Sequence, residues 1–135
     1  EPSDLLAEAF ARLLPQLSER MTAPDREAVA RIVASPATRQ LVAAAEDGRI
    51  VGLLSVALYD VPSGRKAWIE DVVVDAATRG RGIGEALVRE ALALARREGV
   101  ARVMLTSNAT RRAAHRLYER MGFVRYETDC FRLDL

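Results

Sequence analysis

The stretch that decides the fold is Val72-Val73-Val74-Asp75-Ala76-Ala77-Thr78-Arg79-Gly80-Arg81-Gly82-Ile83-Gly84. An apolar, β-branched strand ends, a short loop carries two arginines and three glycines, and a helical pattern begins. Glycine leaves no Cβ between the backbone and a ligand. Amide N–H groups at a helix start, with the positive end of the helix dipole behind them, bind phosphate. Arg79 and Arg81 add charge at the same place. These residues alone describe a pyrophosphate cradle. Two other phosphate loops fit poorly. A Walker loop ends in Gly-Lys-Ser/Thr, whereas Gly84 is followed by Glu85. A dinucleotide loop needs Gly-x-Gly-x-x-Gly, whereas the spacing here is Gly80-x-Gly82-x-Gly84.

Upstream of the loop, residues 67–75 form a run short enough for a buried strand. Residues 40–46 and 49–59 are two further strands separated by Asp47-Gly48, a strong hairpin signal, and Pro62-Ser63-Gly64 makes the next turn. The first third has a helical period. Leu6, Phe10, Leu13 and Leu17 recur on one face with Ser3 as N-cap, and Pro15 is expected to kink or end this helix near Leu14. A second helix is expected with Thr22 as cap, Pro24 in the first turn and Ala28, Val29, Ile32 and Val33 as its apolar face, ending at Ser35-Pro36. Downstream of the loop, Ile83, Leu87, Val88, Ala91, Leu94 and Ala95 mark a helix over 82–98, stopped by Gly99. Residues 100–107 read as a buried strand and 111–121 as a helix stopped by Gly122. Residues 123–128 and 130–135 alternate like two short strands. The order is ααβββαβαββ. This is an α/β (α+β) fold, with a parallel crossover inside a mixed, mostly antiparallel central sheet flanked by helices.

The 135 residues suit a single domain, 1–135. Twenty Lys and Arg against 19 Asp and Glu leave a formal charge of +1, which argues against a protein that coats nucleic acid or an anionic membrane. The single cysteine, Cys130, excludes an internal disulfide framework and is expected to be a buried structural thiol. With one histidine, His115, and one cysteine, no metal site is expected. No apolar run approaches the ~18 residues needed to cross a bilayer. The opening Glu-Pro-Ser-Asp has no basic segment followed by an apolar stretch, so a cytoplasmic protein is expected.

Arg79-x-x-Gly82-x-Gly84 resembles the Arg/Gln-x-x-Gly-x-Gly/Ala signature of the GNAT superfamily of N-acetyltransferases. Ile69-Glu70-Asp71-Val72-Val73-Val74 is similar to that family's central strand. The segment from Ala114 to Phe123 resembles its second signature, A-x-x-[LF]-Y-x-x-x-G-F. The resemblance covers roughly residues 37–135. The resemblance implies a short strand ahead of the first helix; this sequence starts almost at the helix, so that strand is expected to be either missing or trimmed.

The resemblance implies an acetyl-CoA-dependent N-acetyltransferase in which a primary amine attacks the thioester directly in a ternary complex. It implies that Val72, Val73 and Val74, with Asn108, meet the pantetheine arm. It also implies that Arg79, Gly80, Arg81, Gly82, Ile83 and Gly84 hold the pyrophosphate. The amine must lose a proton to a carboxylate, directly or through water. Glu70 and Asp71 are the candidates. Adjacent strand residues point to opposite faces, so one of them is expected to face the substrate. The Ile-Glu-Asp sequence, similar to that of phosphosugar N-acetyltransferases, favours Glu70. The competing reading pairs these acids with Arg65, Lys66 or a helix arginine. Tyr118 matches the family's general acid, and a phenol of reference pKa ~10 is protonated at neutral pH. The acceptor is expected to be a small amine, with a lean toward an anionic one from Arg111, Arg112, Arg116 and Arg120. A homodimer is expected from exposed sheet edges and family habit. The alternative is a catalytically silent CoA-binding sensor or partner module of the same fold.

Overall fold

The computed structural model describes residues 2–135. The elements run α1 (Pro2–Leu17), α2 (Arg26–Ala34), β1 (Thr38–Ala44), β2 (Ile50–Val61), β3 (Gly64–Val74), a single 3-10 turn (Ala76–Thr78), α3 (Ile83–Arg97), β4 (Val103–Met104) and α4 (Arg112–Arg120). The sheet order is β1-β2-β3-β4, with β1, β2 and β3 antiparallel and β4 parallel to β3. This is the mixed, mostly antiparallel sheet expected from the sequence. Among the described residues, no helix is long and apolar enough to cross a membrane.

Helices cover both faces. On one, α1 and α2 bring Leu6, Phe10, Leu13, Leu14 and Val29 onto Leu53 and Val73. On the other, α3 and α4 bring Leu87, Val88, Ala91, Ala95 and Tyr118 onto Leu54, Val56, Leu58 and Ile69. The alternation of Leu53 and Leu54 between the two clusters is the period-two signature of a central strand covered on both sides. Burying each of the Leu, Val, Ile and Phe side chains among these contributes roughly 1.5–3 kcal/mol relative to leaving it in water.

Several local expectations are corrected. Pro15 neither ends nor breaks α1, which runs to Leu17. It sits in the last turn, where only the bond its own N–H would have made is lost, and Ser18 N still donates to Leu14 O at 3.2 Å. Ser3 lies inside α1 rather than capping it. The N-cap of α2 is Asp25, whose carboxylate accepts from Ala28 N at 2.8 Å, and not Thr22. Val33 faces solvent. Neither strand expected over 123–128 and 130–135 forms: residues 123–135 carry no regular structure. Val124, Phe131 and Leu133 are 86%, 92% and 83% exposed, and Cys130 is exposed rather than buried. Alternation makes a segment competent to pair, but β4 is two residues long and offers little ladder to extend.

Candidate active site

The site is built where β3 departs from regularity. Ser55 pairs with Glu70 and Leu53 with Val73, so the one residue of β2 between them, Leu54, faces two of β3, Asp71 and Val72. The extra residue is a β-bulge, and within it Asp71 adopts φ +49°, a left-handed conformation that a non-glycine side chain disfavours. The bulge breaks the alternation that predicted opposite directions for the two acids. Glu70 and Asp71 both line one cavity of about 480 Å³ on the α1–α2 side of the sheet. Phe10, Leu14, Met21, Ile32 and Leu53 form its apolar wall, and Thr22, Thr38, Gln40 and Ser55 its neutral polar surface. That volume suits a small organic molecule. Burial, and then the neighbouring Asp71 charge, raise the Glu70 carboxyl above the ordinary glutamate value. Arg65, a cation proposed to pair with these acids, instead binds Asp60 Oδ2 at 2.8 Å and Glu98 Oε1 at 2.9 Å.

On its other side, β3 pairs with β4 only at Ala67–Val103 and Trp68–Met104. From Ile69 to Val74 that edge of β3 has no strand beside it among the described residues. The result is a notch next to the bulge. Val73 is buried toward α1, while Val72 and Val74 pack on the α3–α4 side.

The notch opens onto the glycine loop. Gly82 caps α3 with φ +77°, and the first bond into the helix is Ala86 N to Gly82 O at 3.0 Å. The N–H groups of Gly80, Arg81, Gly82, Ile83 and Gly84 have no acceptor among the described residues. Such amides at a helix start are an anion site in waiting. Arg81 is exposed, and exposed Arg79 reaches back with Nε to Val74 O at 3.4 Å. The loop is anchored from behind. Asp75, buried at the end of β3, accepts from Ala77 N at 3.1 Å and Gln16 Nε2 at 3.4 Å, and Arg12 and Arg49 lie at 3.5 and 3.7 Å. Gln16 Oε1 accepts from Ala76 N at 2.8 Å. Thus α1, which forms the wall of the cavity, also holds the loop.

α4 rests against this loop. A Cβ on Gly84 would lie 3.3 Å from Leu117 Cδ2, so glycine there permits the approach. The next residue, Tyr118, is 7% exposed within the α3–α4 core, its ring 5.8 Å from Phe123 and edge-on. Burial raises its phenol above the ordinary value, opposed by the Arg111 charge. Tyr118 does not line the cavity with Glu70 and Asp71, because it lies on the opposite face of the sheet. Asn108 is exposed, and its Oδ1 accepts from Thr110 N at 2.9 Å and Thr110 Oγ1 at 2.8 Å, closing a turn before α4. Its neighbour Ser107, missed by sequence reasoning, has a buried hydroxyl with no partner among the described residues. A lone serine after a strand carries no spacing signal. No group of three or more His, Cys, Asp or Glu able to hold a metal is found among the described residues.

The acetyltransferase (GNAT) family model matches residues 4–123. The chain belongs to the GNAT acetyltransferase family. Among GNAT relatives, it is 35% identical over 127 residues to glucosamine 6-phosphate N-acetyltransferase 1 of Oryza sativa, covering 88% of this chain and 75% of that one. It is 36% identical over 89 residues to a mycothiol acetyltransferase of Thermomonospora curvata, covering 66% of this chain and 29% of that protein. The chain therefore spans less than a third of the mycothiol acetyltransferases it matches. The crystal structure of a Trypanosoma brucei acetyltransferase superposes with a TM-score of 0.79 at 32% identity, covering 100% of this chain and 95% of that one. GNAT enzymes draw their acetyl group from acetyl-CoA, and the unpaired amides and the notch beside them fit a diphosphate ester with an extended amide arm.

Proposed function

We propose that this chain is an acetyl-CoA-dependent N-acetyltransferase acting on a primary amine by direct attack in a ternary complex. One observation carries the reading: a single strand ends in an anion cradle and, a few residues earlier, bulges so that two carboxylates line one open cavity. The amides of Gly80 to Gly84, with Arg79 and Arg81, hold the pyrophosphate. Val72, Val73 and Val74 line the pantetheine notch, with Asn108 and the Ser107 hydroxyl at its far side. Acetyl-CoA supplies a thioester whose carbonyl carbon is open to a neutral amine. Glu70 takes the proton from the ammonium, and its raised pKa suits a base that must release that proton again. The C–N bond forms, the C–S bond breaks, Tyr118 gives its proton to the departing thiolate, and the second proton of the former amine, lost as the amide forms, restores the phenol by way of solvent. Tyr118 reaches the thiolate from the face opposite Glu70, as expected for an arm threaded through the notch between the two faces.

Calorimetry with acetyl-CoA beside ATP and NAD tests the cradle, and thiol release over an amine panel tests turnover. Acetyl-CoA binding with thiol release is the expected result. Binding without release on any amine favours the silent module, and ATP binding without CoA binding overturns the family's chemistry here. The homodimer is proposed with it. Exposed Val42 on edge strand β1 supports pairing through that edge, and a solution mass measurement that finds a monomer rejects it.

A further inference from the structure

Resting on the acetyltransferase reading, we propose that the cavity selects an amine bearing no anionic group: a cationic amine with an apolar or hydroxylated body. The hydrogen-bonding character of the cavity carries this. Ser55 Oγ donates to Gln40 Oε1 at 2.7 Å. Gln40 Nε2 donates to the carbonyls of Leu41 and Leu54, each at 3.2 Å. A carbonyl only accepts, so two of them on one side fix which way the amide points. Gln40 has no hydrogen left for a ligand, and Ser55 offers only lone pairs. Ionised Glu70 and Asp71 also only accept. The remaining side-chain donors are the hydroxyls of Thr22 and Thr38.

An anion taken out of water needs donors or a counter-charge. No lysine, arginine or histidine among the described residues lines the cavity. Arg12, on the helix that forms its wall, is committed to Glu8 at 2.8 Å, to Asp75 and to the Ile50 carbonyl at 2.8 Å. The arginines that suggested an anionic acceptor, Arg111, Arg112, Arg116 and Arg120, belong to the α4 region, against the other face of the sheet. A phosphate placed in the cavity meets two carboxylates and few donors. An ammonium meets lone pairs and negative charge where Glu70 can deprotonate it, and the body lies against Phe10, Leu14 and Met21.

Two matched pairs test this on the full chain: glucosamine against glucosamine 6-phosphate, and phenethylamine against phenylalanine. Each is read as thiol release and as calorimetric binding to the CoA-loaded protein. The member without the anion is expected to show kcat/KM, or affinity, about tenfold higher or more. Preference for the anionic member of either pair overturns the proposal, and so does binding of no member at all. Thr22→Lys, which puts a cation at the exposed rim, is expected to raise kcat/KM for glucosamine 6-phosphate by about tenfold. No gain from that variant also counts against the proposal. Failure of acetyl-CoA itself to bind is a separate result, which overturns the acetyltransferase reading beneath it.

Discussion

Glu70 holds its proton to higher pH than an ordinary glutamate because burial, and then Asp71, disfavour its charge. A base works only when deprotonated, so the acid limb of the kcat–pH profile is expected above the reference glutamate pKa of about 4.3. Asp71→Asn removes one cause of the shift and should move that limb to lower pH. Glu70→Gln should abolish the limb and lower kcat. Stability gives an independent readout. Where the folded pKa of an acid is raised, its favourable contribution is full below the unfolded pKa and is lost as pH rises through the folded one. Glu70→Gln is therefore expected to leave the melting temperature at pH 7 unchanged or higher, whereas breaking a structural ion pair would lower it. Tyr118→Phe deletes one hydroxyl and keeps the ring against Phe123. It is expected to lower turnover by about a hundredfold with little change in acetyl-CoA affinity, read from steady-state rates and calorimetry.

Among the elements, the strand–loop–helix and the Gly84–Leu117 contact govern how α3 and α4 meet. Gly84→Val sets a Cβ 3.3 Å from Leu117 Cδ2 and adds two methyl groups to it, and is expected to destabilise by about 1–3 kcal/mol in urea unfolding and to weaken acetyl-CoA binding. The β3–α3 junction was legible because it combines a change of period with glycines that no other context demands. The hairpin at Asp47-Gly48 was legible too, and that glycine has φ +87°. The bulge was not, since it exists only in the pairing between β2 and β3 and leaves no mark on the pattern of β3 alone. That is why alternation predicts that only one of Glu70 and Asp71 faces the cavity, whereas both line it. The tail erred in the opposite direction: Phe131, Leu133 and Leu135 alternate as a strand would, yet pairing needs a partner that the pattern does not supply. For the same reason Cys130 is exposed. The resemblance implies that Asn108 meets the pantetheine arm, and it does not reveal that the side-chain oxygen already serves Thr110.

Over the whole molecule, Asp75 ties the N-terminal helix to the glycine loop. Its backbone bond from Ala77, with Gln16, Arg49 and Arg12, lowers its pKa below the ordinary aspartate value. A depressed acid contributes stability that is present above the unfolded pKa and lost as pH falls through the folded one. Asp75→Asn is expected to lower the melting temperature at pH 7, and the gap between variant and parent should narrow as pH falls below the ordinary aspartate value. The bulge has a further consequence. With Asp71 excised, Glu70, Val72, Val73 and Val74 would alternate without interruption, each side chain keeping its present side. A chain one amino acid shorter should thus melt higher yet transfer acetyl groups poorly. Here one inserted residue adds a second carboxylate to the cavity at the expense of a regular ladder.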